Sequence, residues 1–319
     1  MRLTGKRVKN VVVRALYALT IRNTNIPQFS PRLSVRKMVK IKIGIIVRYL
    51  VESILAYRSE KHSLDGIRDY SKLAKNSAAL LIANGPSAKT LNLSEVRKYK
   101  NLGELEVFGV NFSILDPNYE DIIDYLVLSD PGMHPNSDSS RSIQLWKKIQ
   151  DQNRIKIITP SSWHPFLKQT ICKSSGCLHF KDSSLEGFSL NIDPTKPRGY
   201  VSLTAYKALA VAIFFKYQRI FVIGVDNSMF RNISVNERNE LTQVSNHGIG
   251  IYPSSENLSS YFHEGIFDYF YDLSEAFRSL KFCFGQFPIT NLGLNSEVDC
   301  FPKIDPSNKF YSLITDDLT

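Results

Sequence analysis

The chain has 319 residues, of which 43% are hydrophobic and 11% aromatic, a composition typical of a globular protein and not of a disordered one. Its net charge of +10 is uneven: residues 1–51 hold 12 Lys or Arg and no acidic residue, which leaves 28 basic residues against 30 acidic ones in the rest. The near-neutral body argues against a nucleic-acid-binding protein, and the basic N-terminus predicts a local anionic partner, most simply a membrane surface.

The N-terminal segment has the pattern of basic amphipathic helices. Apolar residues recur at helical spacing over 8–21, and a longer pattern capped by Ser34 runs from Val35 to Ile54 with basic residues between the apolar ones. No stretch of 18 uncharged apolar residues occurs and no signal-peptide cleavage site follows an apolar core, so neither a spanning helix nor a secretory signal is expected. We predict that residues 1–58 lie on the anionic inner face of a membrane, as a peripheral segment of a cytoplasmic protein. Packing on the main domain or on a partner subunit is the alternative.

The rest of the chain alternates between two kinds of pattern. Apolar runs predict strands at 79–83, 105–110, 124–128, 154–159, 219–223 and 281–284, and periodic patterns predict helices at 89–100, 141–151, 201–217 and 260–279. This alternation predicts an α/β fold, a Rossmann-like doubly wound and mainly parallel sheet over residues 78–305. Polar residues 59–77 are interpreted as a linker, the Ser-, Pro- and Gly-rich segment 160–200 as an irregular lid insertion, and residues 306–319 as a C-terminal tail.

The first predicted strand runs directly into an Asn-Gly-Pro-Ser turn at residues 84–87. Open α/β sheets bind their ligands at the carboxyl ends of their strands, so this turn is a candidate binding loop. Gly85 lets the backbone approach a ligand, Asn84 offers an amide, and Ser87 offers a hydroxyl that is also able to cap the next helix. An ordinary strand-to-helix turn is the alternative interpretation.

Polar residues also follow three other predicted strands. Asn111, Asp130 and Asp226 each come after an apolar run, and with Asn84 they are expected to line one rim of the sheet. Amides and carboxylates suit a base and a ribose, and backbone N–H groups suit a phosphate, so the set predicts a nucleotide cleft. Turn chemistry alone also favours Asn and Asp at such positions.

The order of four motifs resembles that of the bacterial lipooligosaccharide sialyltransferases and of related uncharacterised Rossmann-like proteins. The motifs are Asn-Gly-Pro-Ser at 84–87, Val-Asn at 110–111, Ala-Leu-Ala-Val-Ala at 208–212 and Ile-Gly-Val-Asp at 223–226. The resemblance covers about residues 76–305. It implies a glycosyltransferase with a CMP-linked donor, whose cytidine nucleotide is held by Asn84 and Asn111.

The chain departs from that family at three points. Asp130 stands where the family has an asparagine, and Thr204-Ala205 replaces a Ser-Gly pair but keeps the hydroxyl. Two family tyrosines that hold the leaving phosphate are missing from residues 227–231, where Arg231 is the candidate for neutralising it. A related acidic sugar is therefore an alternative to sialic acid as donor.

Glycosyl transfer needs a base that takes the proton of the acceptor hydroxyl. The family uses a histidine downstream of the Ile-Gly-Val-Asp strand, and this chain has two there, His247 and His263. Alignment from the terminal strand favours His263 as the base, and His247 is the alternative. For each histidine, a surface or helix-capping role is the alternative interpretation.

Several other chemistries lack their usual signatures. The chain has no Asp-x-Asp triplet, no Gly-x-Gly-x-x-Gly after its first strand and no P-loop, so neither a metal nor a nicotinamide cofactor is expected. Protein donors such as Arg198, Thr204 or Arg231 would then meet the leaving-group charge. The four cysteines, at positions 172, 177, 283 and 300, form no zinc-ligand pattern and are expected to be free or buried thiols.

Together these observations predict a metal-independent glycosyltransferase without a cofactor. It would move a sugar, sialic acid or a related acidic one, from a nucleotide donor to a cell-surface glycan or lipid-linked acceptor, as in lipopolysaccharide biosynthesis. The subunit number stays open, with a homo-oligomer as one option. Two alternatives remain: a pyrophosphokinase of the pterin type, from a distant branch of the same group, and a catalytically inactive membrane-associated scaffold.

Overall fold

The computed structural model describes residues 35–56, 60–72, 77–152, 154–167, 176–244, 255–257 and 266–306, together with residues 312 and 314. The α-helices of this part of the chain are α1 (Val35–Ala56), α2 (Glu60–Tyr70), α3 (Leu93–Asn101), α4 (Ser140–Asp151), α5 (His164–Leu167), α6 (Thr204–Phe214) and α7 (Ile266–Ser279). The strands are β1 (Ala78–Ile82), β2 (Leu105–Val110), β3 (Tyr125–Val127), β4 (Lys156–Pro160), β5 (Cys177–Phe180), β6 (Ile220–Ile223), β7 (Ile233–Val235), β8 (Leu241–Val244), β9 (Ser255–Asn257) and β10 (Ile289–Asn291).

Seven of these strands form one parallel sheet in the order β10-β6-β1-β2-β3-β4-β5. The chain moves outward from β1 to β5 and then returns, so that β6 pairs with the other side of β1. This topology confirms the predicted α/β, Rossmann-like doubly wound sheet. A separate antiparallel sheet, β7-β8-β9, lies between β6 and α7 in sequence.

Both faces of the main sheet are covered by apolar side chains. Leu80 and Ile82 of β1 belong to one core cluster, which takes Val96 from α3 and Leu145 from α4. The alternate residues of β1, such as Leu81, belong to a second cluster with α2, α6 and α7. A strand covered on both faces has to be apolar throughout, which is why β1 has the sequence Ala-Ala-Leu-Leu-Ile.

Three parts of the secondary structure differ from the sequence prediction. Residues 60–70, in the predicted linker, form α2, because Leu64 and Ile67 give it a short buried stripe. The predicted last strand at 281–284 is wrong: those residues continue α7 as a π-helical turn, and the strand comes later, as β10. Within the predicted irregular segment 160–200, β5 forms the edge of the main sheet.

A buried ionic cluster attaches the segment after β5 to α6. The carboxylate of Asp182 lies 2.8 Å from Lys207 Nζ and 3.3 Å from Arg198 Nε, and Arg198 also pairs with Glu186 at 3.6 Å. The side chains of Lys207 and Arg198 are only 2% and 7% exposed. Burial lowers the pKa of Lys207, and the neighbouring Asp182 opposes that shift. Buried charges of this kind are stable only while they stay paired.

Helix α1 is attached to the same segment through Lys42. The ammonium group of Lys42 donates a hydrogen bond of 3.1 Å to the carbonyl oxygen of Glu186 and lies 5.1 Å from the ring centroid of Phe188. A side chain at Gly187 would overlap that ammonium group. Among the helices that the structure describes, none is long and apolar enough to cross a membrane.

The cysteines depart in part from expectation. Cys177 is disulfide-bonded, so the expectation of free thiols is wrong for it. Cys283 and Cys300 are free thiols. Sequence spacing does not reveal whether two Cβ atoms come within bridging distance, which is why the bond was not predicted.

Candidate functional site

A cavity of about 190 Å³ lies at the carboxyl edge of the sheet, where β1 and β6 are neighbours and the chain leaves them in opposite directions. We name it the switch-point cavity. The ends of β1, β2 and β6, the start of α6 and one residue of β8 line it: Ala83, Asn84, Gly85, Pro86, Val110, Asn111, Leu203, Thr204, Ala205, Tyr206, Gly224, Val225, Asp226, Asn227, Ser228, Met229 and Gln243. Doubly wound sheets bind ligands at this position.

Five of the residues that the sequence singled out meet in this cavity: Asn84, Gly85, Asn111, Thr204 and Asp226. Asn111 has a φ of 53°, a left-handed conformation that asparagine tolerates well. The Oδ1 atoms of Asn111 and Asp226 are buried and accept no hydrogen bond from any described residue. A buried acceptor without a donor is costly, so these two atoms are suited to receiving hydrogen bonds from a ligand.

Gly85 and Ser87 hold Asp226 in place. The Ser87 N–H donates a 2.8 Å hydrogen bond to Asp226 Oδ2, and the Ser87 hydroxyl accepts one of 2.9 Å from the N–H of Gly224. A Cβ at Gly85 would overlap the carboxylate of Asp226 and the carbonyl oxygen of Gly224. Because Gly85 has no side chain, its backbone can lie close to Asp226. The sequence suggested only that this backbone could lie close to a ligand.

Asp130 does not join the other three strand-end residues. Its side chain is exposed and accepts a 2.8 Å hydrogen bond from the N–H of Gly132, which caps a short 3₁₀ turn. The residue before it, Ser129, is buried and lies 2.7 Å from the Thr204 hydroxyl. The predicted cleft of four residues is wrong for Asp130, because successive side chains after β3 point in different directions. Ser129 contacts Thr204 of α6, whereas Asp130 is exposed to solvent.

Helix α6 begins in the cavity. Leu203 occupies its N-cap position and supplies no side-chain hydrogen bond, so the first N–H groups of the helix and its positive dipole end face the space beside Thr204. Further along, the Tyr206 hydroxyl accepts a 3.0 Å hydrogen bond from Asn227 and donates one of 3.1 Å to the carbonyl oxygen of Ala276. Burial raises the pKa of Tyr206, which keeps this hydroxyl protonated. No sequence pattern pointed to Tyr206 or Asn227, since their contacts depend on tertiary packing.

A second cavity, of about 420 Å³, adjoins the first through Pro86, Asp226 and Ser228, and we name it the outer cavity. It contains Ser87 and Arg231 from the predicted set. Arg231 is exposed and paired with Glu297, so its guanidinium already has a carboxylate partner. Arg198, the other basic residue considered for a leaving group, is buried in the ionic cluster with Asp182.

The two candidate bases cannot be assigned positions. His247 and His263 both lie outside the described residues, so each remains a prediction. Across the described ranges, no three His, Cys, Asp or Glu side chains are grouped as metal ligands.

No protein-family model matches the chain, and no curated protein matches it either.

Proposed function

We propose that this protein is a glycosyltransferase that uses a nucleotide-activated sugar, with a CMP-linked acidic sugar as the first donor to test. The observation that supports it best is the pair of buried acceptors, Asn111 Oδ1 and Asp226 Oδ1, in a cavity at the switch point of a doubly wound sheet. Ribose hydroxyls and base amino groups are the donors that such acceptors need. The motif order around Asn84 and Asn111 supports the choice of cytidine.

The nucleotide would lie in the switch-point cavity with its phosphate at the start of α6. There the uncapped N–H groups of the helix and the hydroxyl of Thr204, when Ser129 donates the hydrogen bond that joins the two hydroxyls, provide donors for an anion. The sugar would extend toward one of the adjoining spaces, because 190 Å³ does not hold a whole sugar nucleotide.

The proposed reaction is a displacement at the anomeric carbon. The acceptor hydroxyl oxygen forms a bond to that carbon as the bond from carbon to the nucleotide phosphate oxygen breaks. The electron pair leaves with the phosphate, and the hydroxyl proton passes to a base, proposed as His263 or His247. Donors at the start of α6 would stabilise the charge that develops on the phosphate. Metal independence is part of the proposal and rests on the missing Asp-x-Asp triplet.

Removing either amide should weaken nucleotide binding. We expect Asn84→Ala and Asn111→Gly each to raise the dissociation constant of CMP about tenfold, the effect of losing one good hydrogen bond. Glycine is used at position 111 because its backbone is left-handed and alanine would add strain. Calorimetric titration of the full-length protein with CMP measures the effect.

The matched control is Asn101→Ala, an exposed asparagine at the end of α3 that lines neither cavity, and it should bind CMP as the wild type does. A second assay follows release of the nucleotide from CMP- and UDP-linked sugars. Wild-type protein that neither binds CMP nor turns over any of these donors would disprove the proposed function. ATP turnover that requires Mg²⁺ would favour the pyrophosphokinase alternative.

We also propose that α1 docks the protein on an anionic membrane surface. Ile43, Val47, Leu50 and Ile54 form an exposed apolar stripe along α1, and eleven basic residues precede position 43 in the sequence. A helix with exposed apolar residues and basic neighbours is suited to the interface of an anionic bilayer. Electrostatic attraction contributes about 1 kcal/mol per basic residue near such a surface.

Polar substitutions in this stripe should release the protein from vesicles. We expect Leu50→Ser with Ile54→Ser to weaken binding to phosphatidylglycerol vesicles about tenfold, because the variant no longer transfers these two apolar side chains from water into the bilayer. The matched control is Leu102→Ser with Ile143→Ser, a similarly exposed apolar pair, of which Leu102 directly follows α3 and Ile143 lies on α4. Co-sedimentation measures both, and equal binding of the two double variants would disprove membrane docking by α1.

A further inference from the structure

A third cavity lies beside the two described above. It has a volume of about 520 Å³ and lies between α1, the segment after β5 and α7, and we name it the α1–α7 cavity. Its walls are Ile41, Lys42, Ile45, Glu186, Val201, Ser202, Leu203, Met229, Tyr269, Tyr271, Asp272, Leu273, Glu275 and Ala276. A space of this size accommodates one or two sugar rings or a short alkyl chain.

The walls of the α1–α7 cavity include both apolar and acidic side chains. Ile41 and Ile45 of α1 line it with apolar groups, whereas Asp272 and Glu275 of α7 bring carboxylates to it, together with the ring of Tyr271. Such a lining suits an amphiphile, because carboxylates accept hydrogen bonds from hydroxyls and aromatic rings pack on the apolar faces of sugars.

The charge of the lining disfavours an anionic ligand. Glu186, Asp272 and Glu275 face the cavity, and Lys42 is already bound to the carbonyl oxygen of Glu186. Burial raises the pKa of Glu275 to about 7, with a further contribution from Glu186 and opposition from Arg278. Glu186 and Glu275 are each paired with an arginine at 3.6 Å, Arg198 and Arg278 respectively. A ligand that donates hydrogen bonds to carboxylate oxygens suits this lining, whereas a phosphate or carboxylate would lie beside three carboxylates.

The α1–α7 cavity adjoins the proposed donor site. Leu203 and Met229 line both it and the switch-point cavity, so a ligand in one space approaches a ligand in the other at these two side chains. On its outer side the cavity is bounded by α1, whose opposite face carries the exposed apolar stripe. A molecule held partly in a membrane would therefore enter beside α1.

We infer that the α1–α7 cavity is the acceptor site and that its ligand is an uncharged sugar carried on an apolar chain. The sugar hydroxyls donate to Asp272 and Glu275, the sugar ring packs on Tyr271, and the chain lies along Ile41 and Ile45. This assignment rests on the proposed glycosyltransferase function. One acceptor hydroxyl then points past Leu203 and Met229, loses its proton to the base and forms the new carbon–oxygen bond as the donor phosphate leaves.

The test measures binding of octyl β-glucoside to the full-length protein by calorimetry, below the critical micelle concentration. Glucose, which lacks the chain, and octanoate, which replaces the sugar by a negative charge, are the comparison ligands. We expect octyl glucoside to bind and each comparison ligand to bind at least about tenfold more weakly.

Two neighbouring aromatic residues provide the matched variants. Tyr271 lines the cavity, whereas Phe270 is exposed and packs only against Tyr269 among the contacts described. We expect Tyr271→Ala to weaken octyl glucoside binding about tenfold and Phe270→Ala to leave it within about twofold of wild type. Asp272→Asn, an exposed and isosteric change, should weaken binding about threefold and guards against a folding defect of Tyr271→Ala.

CMP binding, measured on the same samples, separates the two proposals. If CMP binds normally but octyl glucoside does not bind, or binds all three variants alike, the acceptor site is disproved and the proposed function stands. If wild-type protein binds octyl glucoside in the expected pattern but does not bind CMP, the proposed function falls and the acceptor assignment falls with it.

Discussion

Replacing Gly224 by alanine should destabilise the protein by about 3 kcal/mol or more and abolish nucleotide binding. Gly224 follows β6 with a φ of +75°, which costs a residue with a side chain about 1–2 kcal/mol. Its Cβ would also lie 2.6 Å from the carbonyl carbon of Ala83, closer than real Cβ atoms approach. Relief of that clash has to separate β1 from β6 at the point where Asp226 and the Asn84 turn meet.

Gly103 provides the control for this substitution. It has nearly the same backbone angle, a φ of +76° at the end of α3, but nothing lies within 4 Å of the position its Cβ would occupy. Gly103→Ala should therefore lower the free energy of unfolding by only about 1 kcal/mol, which is the cost of a left-handed backbone at a residue with a side chain. Urea unfolding gives both free energies, and calorimetry gives CMP affinity. Equal destabilisation by the two substitutions would show that the approach of Gly224 to Ala83 is unimportant.

The second large effect is expected at Asp182. We expect Asp182→Ala to lower the free energy of unfolding by about 3 kcal/mol, because it leaves Lys207 and Arg198 buried without the carboxylate they share. The loss should diminish as the pH rises toward 10. The folded variant holds Lys207 with a lowered pKa while the unfolded chain still binds the proton, so the folded state gains relative stability with rising pH.

An exposed ion pair gives the comparison for Asp182. Asp121 pairs with Arg97 at 2.6 Å, but both side chains are about half exposed, so Asp121→Ala should cost no more than about 1 kcal/mol. Combining Asp182→Ala with Lys207→Met removes the stranded ammonium group and should recover part of the lost stability. Thermal and urea unfolding from pH 6 to pH 10 measure the stability of the two single variants and of the double variant. A double variant no more stable than Asp182→Ala would argue against the buried charge as the cause.

The sequence predicted the main sheet well because each buried strand is a continuous apolar run. Strand β2 was predicted with the observed bounds, and β1 and β6 within one residue, since their side chains are covered on both faces and leave a clear signal. Strand β5 was missed because it is a short edge strand in a segment rich in Ser and Lys. Residues 281–284 were mistaken for a strand because a short apolar run does not distinguish a strand from the end of a buried helix.

Only those residues of the candidate site that directly follow strands could be predicted from the sequence. Asn84, Asn111 and Asp226 follow neighbouring strands and meet in one cavity, as the parallel topology requires. The prediction for Asp130 was wrong because a position after a strand does not reveal in which direction the side chain points. The contact between Ser129 and Thr204 depends on the docking of α6 across the sheet, and no local pattern encodes that docking.

The way α1 is fastened has a consequence for how these sequences change over time. The ammonium group of Lys42 occupies the volume where residue 187 would carry its first side-chain carbon. A side chain at position 187 would displace the end of Lys42 from its hydrogen bond with the carbonyl oxygen of Glu186. In an alignment of homologues, lysine at 42 should therefore occur together with glycine at 187, whereas glycine should persist at 187 without that lysine, because the backbone there has a left-handed φ of +73°.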